Sequence, residues 1–96
     1  MGSVAMIRLS GYSSSSIRRA FGKRYGYIAE PKTSQFSRTR GWELTVCKLT
    51  VSGMESDPNR FLLREEFSTV RQCEVYLNML EGGYDTQIAY RSAINS

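Results

Sequence analysis

The chain has 96 residues, 41% of them apolar and 23% charged, which describes one globular domain with a modest core and excludes a wholly disordered chain. No apolar run approaches the roughly 20 residues that cross a bilayer, and the start MGSVAMIRLSG turns polar too soon for a secretory leader, so a cytoplasmic protein without a membrane partner is expected. The net charge of +4 is unevenly spread: residues 1–40 carry eight cations against Glu30 alone, whereas residues 41–96 carry five against eight carboxylates.

So basic a front half points to an anionic partner, either nucleic acid or an acidic protein surface, as in a larger multi-subunit assembly. Ten of the thirteen cations are Arg, whose planar fork grips phosphate or carboxylate and stacks on rings. The competing reading is that folding lays the acidic half against the basic half.

In chain order, residues 4–9 (VAMIRL) are short, apolar and branched, and read as a strand. Ser13 to Ser16 then offer N-caps for a short helix over 17–22, with Ile17, Ala20 and Phe21 on one face and Gly22 as its stop. Residues 25–29 (YGYIA) fit a short strand. Residues 30–41 (EPKTSQFSRTRG) read as a basic, mobile loop, longer than a plain connector. WELTVCKLTV, 42–51, has strong β-propensity. Its apolar parity switches after Val46, the mark of a bulge or of a strand covered on both sides. Asp57-Pro58-Asn59 supplies turn chemistry, and RFLLREEF, 60–67, returns with Phe61, Leu63 and Phe67 on one face.

A helix is predicted over 69–81, capped by Thr69 with Gln72, striped by Val70, Cys73, Tyr76, Leu77 and Leu80, and ended by Gly82-Gly83. Alternation of Tyr84, Thr86, Ile88 and Tyr90 makes 84–94 a last strand. The expected fold is therefore a single α+β domain over 1–96. It has a small antiparallel sheet with two helices on one face, in the β-α-β-β-α-β order of ferredoxin-like domains, with a basic insertion before the second strand.

Enzymatic chemistry is not expected. The chain has no His, so the commonest general base is missing. Glu65 and Glu66 are adjacent in a strand and point to opposite faces. Cys47 and Cys73 have no His partner and read as reduced core residues. No phosphate-binding glycine loop, metal set or cofactor motif occurs.

Binding is the expectation that remains. Lys23, Tyr25, Gly26, Tyr27 and Ile28 resemble, over eight residues, the aromatic strand of the RNA-recognition motif and the related stretch of cold-shock domains, with Arg24 where that motif has Gly and Glu30 where it has an aromatic. The element order differs from that family, so the resemblance is one of local chemistry. It implies that Tyr25 and Tyr27, on one face of a strand, stack on bases while Arg18, Arg19, Lys23 and Arg24 hold phosphates. Lys32, Phe36, Arg38 and Arg40 repeat the pattern in the loop. The expected function is that of a non-enzymatic accessory protein binding single-stranded RNA or DNA. The alternative is an adaptor or inhibitor docking on a larger protein assembly, with Val75 and Met79, off the core stripe of the main helix, as the contact.

Overall fold

The structure, a computed structural model, describes residues 6–10, 17–32, 41–50, 53–54 and 61–96. The Ser13–Ser16 caps, Phe36, Arg38, Arg40 and the turn at Asp57–Pro58–Asn59 lie outside the described residues. The elements are β1 (Arg18–Phe21), β2 (Tyr25–Lys32), β3 (Gly41–Thr50), β4 (Gly53–Met54), β5 (Phe61–Phe67), α1 (Val70–Glu81) and α2 (Thr86–Ile94). The protein is α+β: an antiparallel sheet with two helices.

Strand β3 is the spine of the sheet. It pairs with β2 along one edge, and with β5 and the two-residue β4 along the other; β1 closes the β2 side. Trp42 and the alternating β-branched and apolar residues that follow suit a strand flanked on both edges. Its register on β5 shifts between Val46 and Cys47: Val46 pairs with Leu63, and Cys47 with Phe61. Leu62 is thus the extra residue of a bulge on β5. Strand β3 itself keeps strict alternation, its register on β2 running unbroken through Val46 and Cys47, so the bulge lies on the neighbouring strand and not in β3. Phe61 is carried to the face opposite Leu63, which corrects the expectation that Phe61, Leu63 and Phe67 share one face.

The inner face of the sheet presents Ala20, Tyr27, Ala29, Leu44, Val46 and Phe67 to the core, and α1 answers with Cys73, Tyr76, Leu77 and Leu80. Each large side chain buried there is worth about 1.5–3 kcal/mol. The helix stripe is the expected one. Thr69 caps α1 by accepting the Gln72 N–H at 3.1 Å, and Gln72 accepts the Ser68 N–H at 2.8 Å. Gly83, in the left-handed region at φ 90°, closes a Schellman turn in which the Tyr84 N–H reaches the Met79 carbonyl at 3.2 Å. Helix α2 lies chiefly against α1, with Ala89 and Ala93 fully buried between them. Cys47 and Cys73 are both buried and unbonded. No described helix is long and apolar enough to cross a membrane.

Three expectations are corrected. Residues 18–21 are a strand, since Gly22 and the Lys23–Arg24 turn fold them back on β2, with Phe21 opposite Gly26. Residues 86–94 are a helix: Asp85 caps it, accepting the Ile88 N–H at 3.0 Å, and Ala89 and Ala93, four apart, outweigh the alternation around them. Residues 6–9 hold no regular structure, and Ser10 makes a single bridge to Arg19. The described elements therefore run through the whole sheet before either helix, which is not the ferredoxin-like order. Of residues 30–41, expected as a loop, residues 30–32 belong to β2 and Gly41 opens β3.

A polar stripe on α1 ties the first half of the chain down. Glu74, Asn78 and Glu81 stand at i, i+4 and i+7, on one side of the helix. Glu74 accepts the Leu9 N–H at 2.8 Å; Asn78 accepts the Ile7 N–H and donates to the Ile7 carbonyl, both at 2.9 Å. Glu81 receives the β1–β2 turn.

Candidate functional site

The β1–β2 hairpin carries most of the cations singled out by sequence. Its two-residue turn, Lys23–Arg24, is closed by the Gly22 N–H on the Tyr25 carbonyl at 2.9 Å. Tight hairpins favour turns with positive φ, yet no described residue other than Gly83 has one. The turn is held from outside instead. The Glu81 carboxylate accepts the backbone N–H groups of Lys23 (2.8 Å), Arg24 (3.2 and 3.3 Å) and Tyr25 (3.1 Å), and the Tyr27 hydroxyl at 2.8 Å. Burial alone pushes the Glu81 carboxyl up; the bond from Tyr27 and those from the three amides outweigh it and hold it below its ordinary value.

Tyr27 is therefore not a stacking platform. Its ring is 0% exposed, and burial, followed by the Glu81 contact, drives its hydroxyl far above the usual tyrosine value. Tyr25 shares its face, as alternation requires, but that is the inner face. It is half-buried, edge-on to Tyr27 at 6.3 Å. Arg18 also points inward, its guanidinium 5.7 Å from the Trp42 ring. Lys32 contacts Glu66 and lies 3.6 Å from Glu43; the Glu66 bond is the main cause of its raised pKa. Val75 and Met79 are not an exposed pair: both are half-buried and pack against the core. Arg19, Lys23 and Arg24 are exposed, with no ion pair among the described residues.

Two rows of side chains cross the outer face of the sheet, on which no described helix packs. One is Arg19–Ile28–Thr45–Arg64; the other is Phe21–Gly26–Cys47–Phe61. Phe21 is 58% exposed, and the Arg64 guanidinium lies 4.0 Å from the centroid of the Phe61 ring. Three strand spacings separate Phe21 from Phe61, about 14 Å, and the two rows stand about 7 Å apart. A third row, Glu30–Glu43–Glu66, bounds the surface on its far side, with Lys32 against two of its members.

Sequence reasoning missed Phe21, Phe61 and Arg64. The helical spacing of Ile17, Ala20 and Phe21 hides Phe21 in a stripe, and simple alternation sets Phe61 on one face with Leu63 and Phe67. Simple alternation in RRAF would have set Phe21 beside Arg19, but nothing local in RFLLREEF marks Leu62 as the bulge that turns Phe61 outward. No protein-family model, curated protein or solved structure matches the chain.

Proposed function

We propose that the protein is a non-enzymatic accessory factor that binds single-stranded nucleic acid across the outer face of its sheet. Arg19 and Arg64 hold phosphates there, and Phe21 and the Arg64–Phe61 stack receive bases. Lys23 and Arg24 at the hairpin turn extend the positive rim. The observation that supports this reading is the pair of cross-strand rows, in which exposed rings alternate with guanidinium groups on a face where no described helix packs. A flexible single strand fits such a surface because every base has a stackable face and the backbone charge needs no fixed helical geometry. The glutamate row confines the path to the half of the face near the hairpin turn.

The test is titration of a labelled oligouridylate and an oligothymidylate at about 50 and 200 mM salt. Removing both Arg19 and Arg64 by Ala substitution is expected to flatten the log–log salt slope by roughly 1.4, about 0.7 for each lost phosphate contact. Phe21→Ala and Phe61→Ala should each cost roughly 1–3 kcal/mol. Affinity indifferent to all four substitutions overturns the proposal. The second reading, an adaptor or inhibitor docking on a larger protein, rests on different side chains: Leu62 and Tyr84, 51% and 54% exposed.

A further inference from the structure

Strand β5 pairs with β3 and with no other described strand. An edge of this kind leaves the N–H and C=O groups of alternate residues unpaired, a template for a further strand. Helix α1 covers β2, β3 and β5, and α2 lies beside α1 on the β5 side. Gln87, Tyr90, Arg91 and Ile94 stand at i, i+3, i+4 and i+7 of α2, the spacing of a single face. That face looks onto clefts that it shares with β5, and no described strand lies beneath it. The layer of two helices is wider than the sheet under it.

Three clefts follow one another along β5. Beside Phe67 a space of about 420 Å³ is walled by Trp42, Tyr90 and Ile94. Beside Glu65 one of about 370 Å³ is bounded by Gln87 and Arg91. Beside Leu63 the third, of about 410 Å³, has Leu80 and Tyr84 in its walls. Leu63, Glu65 and Phe67 alternate onto the inner face, about 7 Å apart. A strand added to the edge sets its own alternate side chains at the same pitch. The two end clefts have apolar walls, with Phe67 and Leu80 buried and Trp42, Leu63 and Tyr90 half-buried. Each cleft is lined by one cation and one carboxylate: Lys32 with Glu66, Arg91 with Glu65, and Arg24 with Asp85. The charges balance cleft by cleft, so the complementary occupant is uncharged.

We propose that the free edge of β5 takes an uncharged, extended segment of a partner polypeptide as an added strand beneath α2. Its side chains at i and i+4 are apolar and fill the end clefts, and the one at i+2 is polar and neutral. The occupant is not β5 of a second copy. That pairing would set two α2 helices over strands about 4.8 Å apart, whereas packed helices need about 8–10 Å. The inference goes beyond the nucleic-acid reading. It uses the edge and inner face of β5, and asks nothing of Arg19, Phe21, Phe61 or Arg64.

The probe is a capped heptapeptide, threonyl-valyl-threonyl-threonyl-threonyl-phenylalanyl-threonine, followed by amide NMR and hydrogen exchange on the full chain. The expected result is saturable shifts from Leu63 to Phe67 and at Tyr90 and Arg91, with exchange slowed at alternate β5 amides. Two further peptides carry N-methyl groups on alternate backbone nitrogens, one on the odd set and one on the even. The set that faces β5 should weaken binding roughly tenfold, the worth of two hydrogen bonds, and the other set should leave it unchanged. Glutamate or lysine in place of the central threonine should each weaken it. Ile94→Glu, at a position 46% exposed, should cost roughly tenfold by placing a charge in the Phe67 cleft. Arg19→Ala should change nothing. No saturation at millimolar peptide, equal effects of the two N-methylated sets, preference for a charged central residue, or shifts confined to Ile28 and Thr45 on the outer face would each overturn the inference.

Discussion

The carboxylate of Glu81 occupies the space in which a side chain at Gly22 would begin: a Cβ built on Gly22 overlaps the Glu81 carboxyl group. Glycine is needed there for close approach, not for its backbone angles. An acid held by four donors cannot step aside without giving them up. Gly22→Ala is therefore expected to destabilise the fold by about 2 kcal/mol or more, the worth of hydrogen bonds to a charged group. Urea denaturation checks this; an unchanged midpoint would show that the carboxylate relocates without loss.

Two buried tyrosines should respond oppositely to loss of the hydroxyl. Tyr27 donates to Glu81 at 2.8 Å, so Tyr27→Phe is expected to cost about 1.5–3 kcal/mol. The Tyr76 hydroxyl is buried with no hydrogen-bond partner among the described residues, and burial pushes it up to about 12. Its ring is held by Phe67, 5.1 Å away. Tyr76→Phe removes an unsatisfied group and keeps the ring, so stability should hold or rise by up to about 1 kcal/mol. Thermal melts of the two variants side by side decide the matter.

Acid should loosen the hairpin. Glu81 titrates below its ordinary value of 4.5 in the native protein, so the folded state favours its ionised form. That contribution is complete above about pH 4.5 and fades as pH falls through the lower native value. Stability measured from pH 6 downward should drop more steeply in the wild type than in Glu81→Gln, which starts less stable at neutral pH. Parallel acid limbs for the two proteins would contradict the assignment.

Asn78 carries the segment before β1. Its side chain pairs with both the N–H and the carbonyl of Ile7, while Leu9 beside it is buried. Asn78→Ala is expected to cost about 1–2 kcal/mol and to raise amide hydrogen exchange selectively at Ile7 and Leu9. Exchange at Tyr27 and Leu44, inside the sheet, should follow only the global change.

The parts of the fold legible in the sequence were those decided locally. Thr69 with Gln72, the stripe from Val70 to Leu80 and the glycine stop define α1 within its own residues. Strand β3 declared itself by composition, but the bulge beside it belongs to β5. The parts misread were decided at a distance. Ile17, Ala20 and Phe21 satisfy a helical spacing, but the chain turns back after Gly22, where Glu81 accepts the amides of Lys23, Arg24 and Tyr25. Alternation from Tyr84 to Tyr90 suits a strand until α1 offers Ala89 and Ala93 a surface to bury against. The candidate site shows the same division. That Tyr25 and Tyr27 share a face follows from strand geometry, but which face meets the helices does not. The pair once set to meet bases lies inward, and Phe21, one strand away, lies outward.

The stripe of Glu74, Asn78 and Glu81 also bears on synthesis. Its bonds join residues 54 to 71 positions apart, and all the helical partners belong to the last quarter of the chain. A ribosome releases the arginine-rich portion first, with its turn unsupported and Leu9 uncovered, and only later the acid and amide groups that fasten it. Until then the nascent portion is cationic and unfinished, the state in which a polypeptide is most exposed to stray polyanions and proteases. The contacts that fasten the hairpin turn are thus supplied only after the sheet's own strands have been made.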